Sequence, residues 1–196
     1  MVLTPDPNGG GNTLYALDAV SSNSVYAVGQ TGTAFPSQAL IEHWDGTKWS
    51  QLASPADPTE SLTTLAVTGS DSSLTVVGDR ESGTAPYTTE VATGAPSSLS
   101  LVASPNATGE NDLFSATTAA DGTAYAAGWS VDPSTGNYLS LIEHQVGGVW
   151  SIQPTPNPGS GANGFAGITA IPGGGLWAVG NFASSGNNAT LIAHNC

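Results

Sequence analysis

Short apolar runs, each cut off by glycine, proline or a cluster of Ser and Asn, follow one another along this 196-residue chain. Residues 14–20, 25–29, 39–44 and 48–53 predict four strands. They are joined by the turn Ser21-Ser22-Asn23-Ser24, a polar loop over 30–38 and the dipeptide Asp45-Gly46. That dipeptide predicts a two-residue type I′ turn, because both central positions of such a turn need positive φ. Together these make an antiparallel meander.

The meander recurs. Val25-Tyr26-Ala27-Val28-Gly29 ends on a glycine that returns at Gly78, Gly128 and Gly180, after 49, 50 and 52 residues. Ala39-Leu40-Ile41-Glu42-His43 returns as Ser140-Leu141-Ile142-Glu143-His144 and Thr190-Leu191-Ile192-Ala193-His194. Strands are predicted at 62–68, 74–78, 87–92 and 99–103 in the second copy, and at 113–119, 124–128, 138–144 and 149–153 in the third. The fourth copy has them at 165–171, 176–180 and 190–194. The second copy is degenerate. It lacks both tryptophans, and Glu90-Val91 aligns with Glu42-His43.

A period near 50 residues with four strands per repeat predicts an all-β fold: one β-propeller domain over 1–196, with blades at about 5–55, 56–105, 106–156 and 157–196. The last blade stops one strand short. Residues 1–5 resemble the fourth-strand end at 152–156 and fit the gap. They can fill it in cis, closing a four-bladed ring, or in trans, joining copies into an eight-bladed ring or a string. A cut from a longer propeller leaves the same ends.

Composition narrows the functional classes. Lys48 and Arg80 are the only bases against 15 acids, for a formal charge of −13. Nucleic acid needs a basic footprint, so it is excluded as a partner, and anionic membrane surfaces are disfavoured. No apolar run is long enough to insert into a membrane. Scarce lysine with abundant Ser, Thr and Asn predicts an extracellular or cell-surface protein. Its opening residues do not form a signal peptide. Cys196 is the only cysteine, so no intrachain disulfide is expected.

The order strand, Tyr-Ala-Val-Gly, polar loop, apolar strand ending in Trp44, tight turn, Trp49 resembles the kelch repeat. Kelch carries a glycine pair. This chain has Gly29-Gln30, Gly78-Asp79, Gly128-Trp129 and Gly180-Asn181, so it looks more like the single-glycine, kelch-like repeats of bacterial secreted or surface proteins. The resemblance implies a propeller and leaves function open. Asp45-Gly46-Thr47-Lys48-Trp49 also resembles the Asp-box of sialidases, one residue short and present once. Arg80 is the only arginine, so the arginine triad that grips a sialic acid carboxylate cannot form.

Candidate chemistry falls on a few sets of residues. His43, His144 and His194 share a repeat position. Equivalent positions on separate blades point into separate spaces, so a structural role is expected rather than one metal site. Glu42, Glu90 and Glu143 align in the same way. Facing carboxylates hydrolyse glycosides, but one per blade reads as architecture. Phe35, Tyr87, Tyr138 and Phe182 fall in loops between second and third strands, and Trp129 leads into one. Aromatic faces among small polar groups suit pyranose rings; the same rings would also cap a core under long loops. The blade-to-blade linkers hold Asp6, Asn8, Asp57, Glu60, Asn106, Glu110, Asp112 and Asn157, a weak fit to calcium without an Asp-x-Asp-x-Asn-Gly run. No other cofactor is implied.

The expected function is a non-catalytic binding or assembly module with a glycan or protein ligand. The alternatives are a glycan hydrolase or lyase using acids among Asp79, Glu81, Glu110 and Asp132, and a structural subunit that oligomerises through its incomplete blade.

Overall fold

A computed structural model describes residues 3–32, 34–184 and 186–195. Cys196 lies outside the described residues. Blade 1 is β1 (Asn12–Ser21), β2 (Ser24–Thr31), β3 (Gln38–Trp44) and β4 (Trp49–Gln51). Blade 2 is β5 (Ser61–Ser70), β6 (Ser73–Glu81), β7 (Thr88–Gly94) and β8 (Ser100–Leu101). Blade 3 is β9 (Asn111–Thr118), β10 (Ala124–Val131), β11 (Tyr138–Val146) and β12 (Val149–Gln153). Blade 4 has β13 (Asn163–Ala170), β14 (Leu176–Ser184) and β15 (Asn187–Asn195). Each sheet is an antiparallel meander in chain order, so the fold is the all-β, propeller-like array that the repeat predicts, its last blade one strand short.

The repeated glycine is explained by close approach. Gly29, Gly78, Gly128 and Gly180 each sit beside a register shift in the pairing with the first strand. A Cβ on any of them would collide with the carbonyl oxygen of Thr13, Thr63, Asp112 or Gly164. The ladder continues past this bulge, so β2, β6, β10 and β14 run beyond the glycines where the sequence predicts that they stop. Trp129 therefore sits within β10 rather than in a loop.

Two other expectations are corrected. The β3–β4 connection is a four-residue loop between paired Trp44 and Trp49, not a two-residue turn. The Asp45 carboxylate closes it by accepting from the Thr47 and Lys48 amides at 2.8 and 2.9 Å, and Gly46 supplies the positive φ. In blade 2, Gly78 pairs with Glu90, whereas Gly29, Gly128 and Gly180 pair with Leu40, Leu141 and Leu191. Glu90 is therefore the counterpart of the leucines, and Thr93 of the histidines. Glu90 does not belong to the repeat position of Glu42 and Glu143.

Blades pack in sequence through three apolar joints. Val28 and Ile41 meet Val67, Leu74 and Val76. Val77 and Val91 meet Leu113, Ala126 and Leu141. Ala127 and Ile142 meet Phe165, Ile168 and Leu191. Polar bonds cross these joints too. The Tyr26 hydroxyl donates to Asp71 at 3.0 Å, Thr68 and Thr118 share a 3.0 Å bond, and the Ala170 amide donates to the Thr117 hydroxyl at 3.1 Å.

No apolar cluster joins blade 4 back to blade 1 among the described residues. The corresponding forward pair of blade 4, Val179 and Ile192, is 47% and 63% exposed. On blade 1, Leu17 occupies the place of Val67 and Ile168 and is 68% exposed. The four blades thus form an arc with two apolar end faces. The described part of the N-terminal stub, residues 3–6, forms no strand, and among the described residues β15 pairs with β14 alone.

Candidate functional site

A cleft of about 860 Å³ opens over blades 1–3, at the end of the strands where second strands lead into third strands. Its floor is the residue after each repeat glycine together with that residue's first-strand partner or near neighbour. These are Gln30 with Thr13, Asp79 with Thr63, and Trp129 with Asp112. The bulge makes this site possible: it carries the ladder past the glycine, so that the next residue's side chain (Gln30, Asp79 or Trp129) lines the cleft. The repeat holds the glycine fixed and lets the next position vary.

The walls come from the loops between second and third strands and from the start of β11. Phe35, Tyr87 and Tyr138 line the cleft from blades 1, 2 and 3, each substantially exposed. The Phe35 ring lies over Gly83 of the next blade, where a Cβ would come within 3.4 Å. Trp129 makes an edge contact with Tyr138 at 4.7 Å between ring centroids and leans on Phe114 at 6.1 Å. Its side chain also rests on Gly164 of blade 4. Four of the five aromatics singled out in sequence therefore meet in one place. The fifth, Phe182, packs against the apolar cluster between blades 3 and 4.

Asp79, Glu81, Glu110 and Asp112 line the same cleft. Burial pushes the Asp79 carboxyl up to about 7, and the negative charges of Asp112 and Glu81 add to that shift. Burial raises Asp112 to about 6, against a lowering bond from the Leu113 amide. The same acids raise the Tyr87 phenol, Glu81 first. Asp132, the other acid considered for catalysis, is engaged elsewhere. Its carboxylate accepts from the Ser134 amide and hydroxyl at 2.8 and 2.7 Å, which ties a turn and lowers its pKa.

The repeat-position residues do not reach this cleft. His43 stacks on Tyr26 at 4.5 Å, His144 on Tyr125 at 5.8 Å, and His194 lies against Trp177 at 4.4 Å. Each pair is directly cross-strand, so each histidine is held within its own blade. Glu143 is fully buried, and its Oε2 accepts a short hydrogen bond from Ser104 of the preceding linker. Burial raises it to about 7, and Ser104 offsets part of that. Glu42 is raised in the same direction by burial.

Glu90 is also fully buried, with both carboxylate oxygens unpartnered. Its pKa is pushed up to about 8, first by burial and then by the Asp79 charge. Linker oxygens are mostly committed. Asp57 and Glu60 pair with Arg80, and Asn106 and Asn157 accept the third-strand amides of Thr89 and Ser140 at 2.8 and 2.7 Å. Among the described residues no three acids or histidines are grouped to hold a metal ion.

Sequence reasoning missed a structural asparagine. Asn12, Asn111 and Asn163 each stand 17 residues before their glycine, with Ser61 in blade 2. Asn111 donates to the carbonyls of Ala107 and Gly109, and Asn163 to those of Gly159 and Gly161, so each folds its own linker. The fixed offset was the available signal.

No family model matches the chain, and no curated protein matches it in sequence. Solved structures similar to it include the following two. One is described as YCF48 bound to D1 peptide, at 10% identity and a TM-score of 0.38, covering 100% of this chain and 69% of that one. The other is described as a glycoside hydrolase, at 11% identity and a TM-score of 0.44, covering 99% of this chain and 73% of that one.

Proposed function

We propose that this chain is an extracellular, non-catalytic binding module whose ligand is a glycan held in the three-blade cleft. One observation carries the reading: aromatic side chains from three successive blades stand around one open cleft whose remaining lining is mostly Thr, Ser, Gln, Asn and acids, with small Gly and Ala between them. Rings take the apolar faces of pyranoses while amides, hydroxyls and carboxylates bond their oxygens. The scarcity of lysine supports the location. Glycan-array screening followed by calorimetry tests it. Binding that Trp129→Ala weakens about tenfold or more supports the reading. An array without hits removes it. Release of new reducing ends from a bound glycan, abolished by Asp79→Asn, would move the module into the glycan-hydrolase class.

A second reading, assembly, is favoured by the end faces. Trp177, Val179 and Ile192 on blade 4 are the outward half of a joint whose inward half, Leu14 and Leu17, lies bare on blade 1. A second copy placed head to tail would reproduce the joint that the chain already makes three times. Light scattering at rising concentration tests this. A mass of twice the chain that Ile192→Asp returns to one chain supports it, and a strict single-chain mass ends it.

A further inference from the structure

We infer that the glycan accepted by this cleft bears free amines, as a chain of glucosamine units does. The inference rests on the glycan reading above and adds the ligand's charge to it.

Asp79 carries the argument. It lines the cleft, it is only 8% exposed, and its carboxylate has no hydrogen-bond partner among the described residues. The charges it feels are Asp112 and Glu81, both negative. Asp112 repeats the pattern, since its Oδ1 is buried without a partner. Buried carboxylates are ordinarily paired, and an unpaired one is costly. Neither of the chain's two bases supplies the missing charge. Arg80 is bound to Asp57 and Glu60, and Lys48 stands in the β3–β4 loop of blade 1. A cation arriving with the ligand would therefore pair carboxylates that the chain's own bases leave unpaired.

Two further features set its form. No three acids or histidines among the described residues are grouped as one ion requires, which favours several separate cationic groups over a single metal. Phe35, Tyr87 and Tyr138 stand on three different blades. A ligand that touches all of them must offer several apolar faces in a row, and linked pyranose rings do so. An ammonium on each ring places positive charge beside those faces, where both the carboxylates and the aromatic quadrupoles attract it.

The test is calorimetry on the whole chain at pH 6 and low salt, with the glucosamine tetramer, the N-acetylglucosamine tetramer and tetralysine as probes. The glucosamine tetramer is expected to bind about tenfold or more tighter than the acetylated one, the difference that a charge-assisted bond makes. Its binding should release protons, seen as a buffer-dependent heat, because each ammonium replaces a carboxyl proton. The advantage should shrink as salt rises. Asp79→Asn should erase most of the difference between the two sugars. Glu81→Gln, at a less buried position, should reduce it in a chain that folds normally. Equal binding of the two sugars overturns the amine inference and leaves the glycan reading standing. Tetralysine binding more tightly than either sugar overturns it in favour of a cationic peptide. Failure of every sugar to bind overturns the glycan reading itself.

Discussion

Blades 2 and 3 have the same strand order and the same pairing of second strand to third. At matching positions, though, blade 3 has Leu141 and Trp129 where blade 2 has Glu90 and Asp79. Leu141 completes the joint between blades 2 and 3. Glu90 occupies the same place on blade 2 and finds no partner for either oxygen. Blade 2 also lacks the aromatic–histidine stack: its pair is Thr75 and Thr93. The least regular copy is thus the one that supplies Asp79, Glu81 and Tyr87 to the cleft. Glu90 breaks the packing rule within reach of the Asp79 charge, which raises its pKa further.

The comparison can be broken at several points. The largest effect belongs to what both blades share. Gly78→Ala and Gly128→Ala should each destabilise by about 3 kcal/mol or more, since each added Cβ meets backbone that cannot step aside. Thermal melts showing one of them tolerated would mean that the bulge is not equivalent in the two blades.

Next comes the exchange of the differing residues. Glu90→Leu should raise stability, by on the order of 3 kcal/mol at pH 8. The sign follows from proton binding. Unfolded, Glu90 loses its proton near the ordinary 4.5; folded, it keeps the proton up to about 8. Between those values the folded state binds more protons, so stability falls as pH rises. Asp79 and Glu143, each raised to about 7, and Asp112, raised to about 6, contribute in the same direction. Melts from pH 4.5 to 8 should therefore decline, and Glu90→Leu should flatten the decline. An unchanged slope would place the loss elsewhere. Leu141→Glu should impose a comparable slope from blade 3.

Smaller effects separate site from scaffold. Phe182→Ala should cost about 2–3 kcal/mol of stability and leave ligand affinity unchanged, because Phe182 supports the joint between blades 3 and 4. Asp132→Asn should alter neither binding nor any turnover, because that carboxylate only ties its own turn. A binding defect in either variant would enlarge the site beyond the cleft.

How much of this was legible in the chain depends on range. The glycines at near-constant spacing, the strand order and the shortened fourth blade could be read because each is a local pattern of period two repeated along the sequence. The register of Glu90 could not. Sliding a strand by two residues leaves every side chain on its original face, so alternation does not distinguish Glu90 opposite Gly78 from the alignment with Glu42. The length of the second strands was hidden as well, because a bulge lets a ladder pass a glycine that otherwise reads as a stop.

Taken alone, the sequence determined the all-β class, the number of repeats and the incomplete last sheet, and its charge of −13 set the expectation of no nucleic-acid partner. Those follow from periodicity and from a tally of charges. Tertiary structure decided that Phe35, Tyr87, Trp129 and Tyr138 converge while Phe182 does not, that Asp79 and Asp112 lie close enough for their charges to interact, and that Val179 and Ile192 face outward while Val28 and Ile41 are buried. The physical reason is that burial and electrostatic environment belong to pairs of surfaces. Residues with the same letter at the same repeat position become core or exposed face according to whether another blade lies against them.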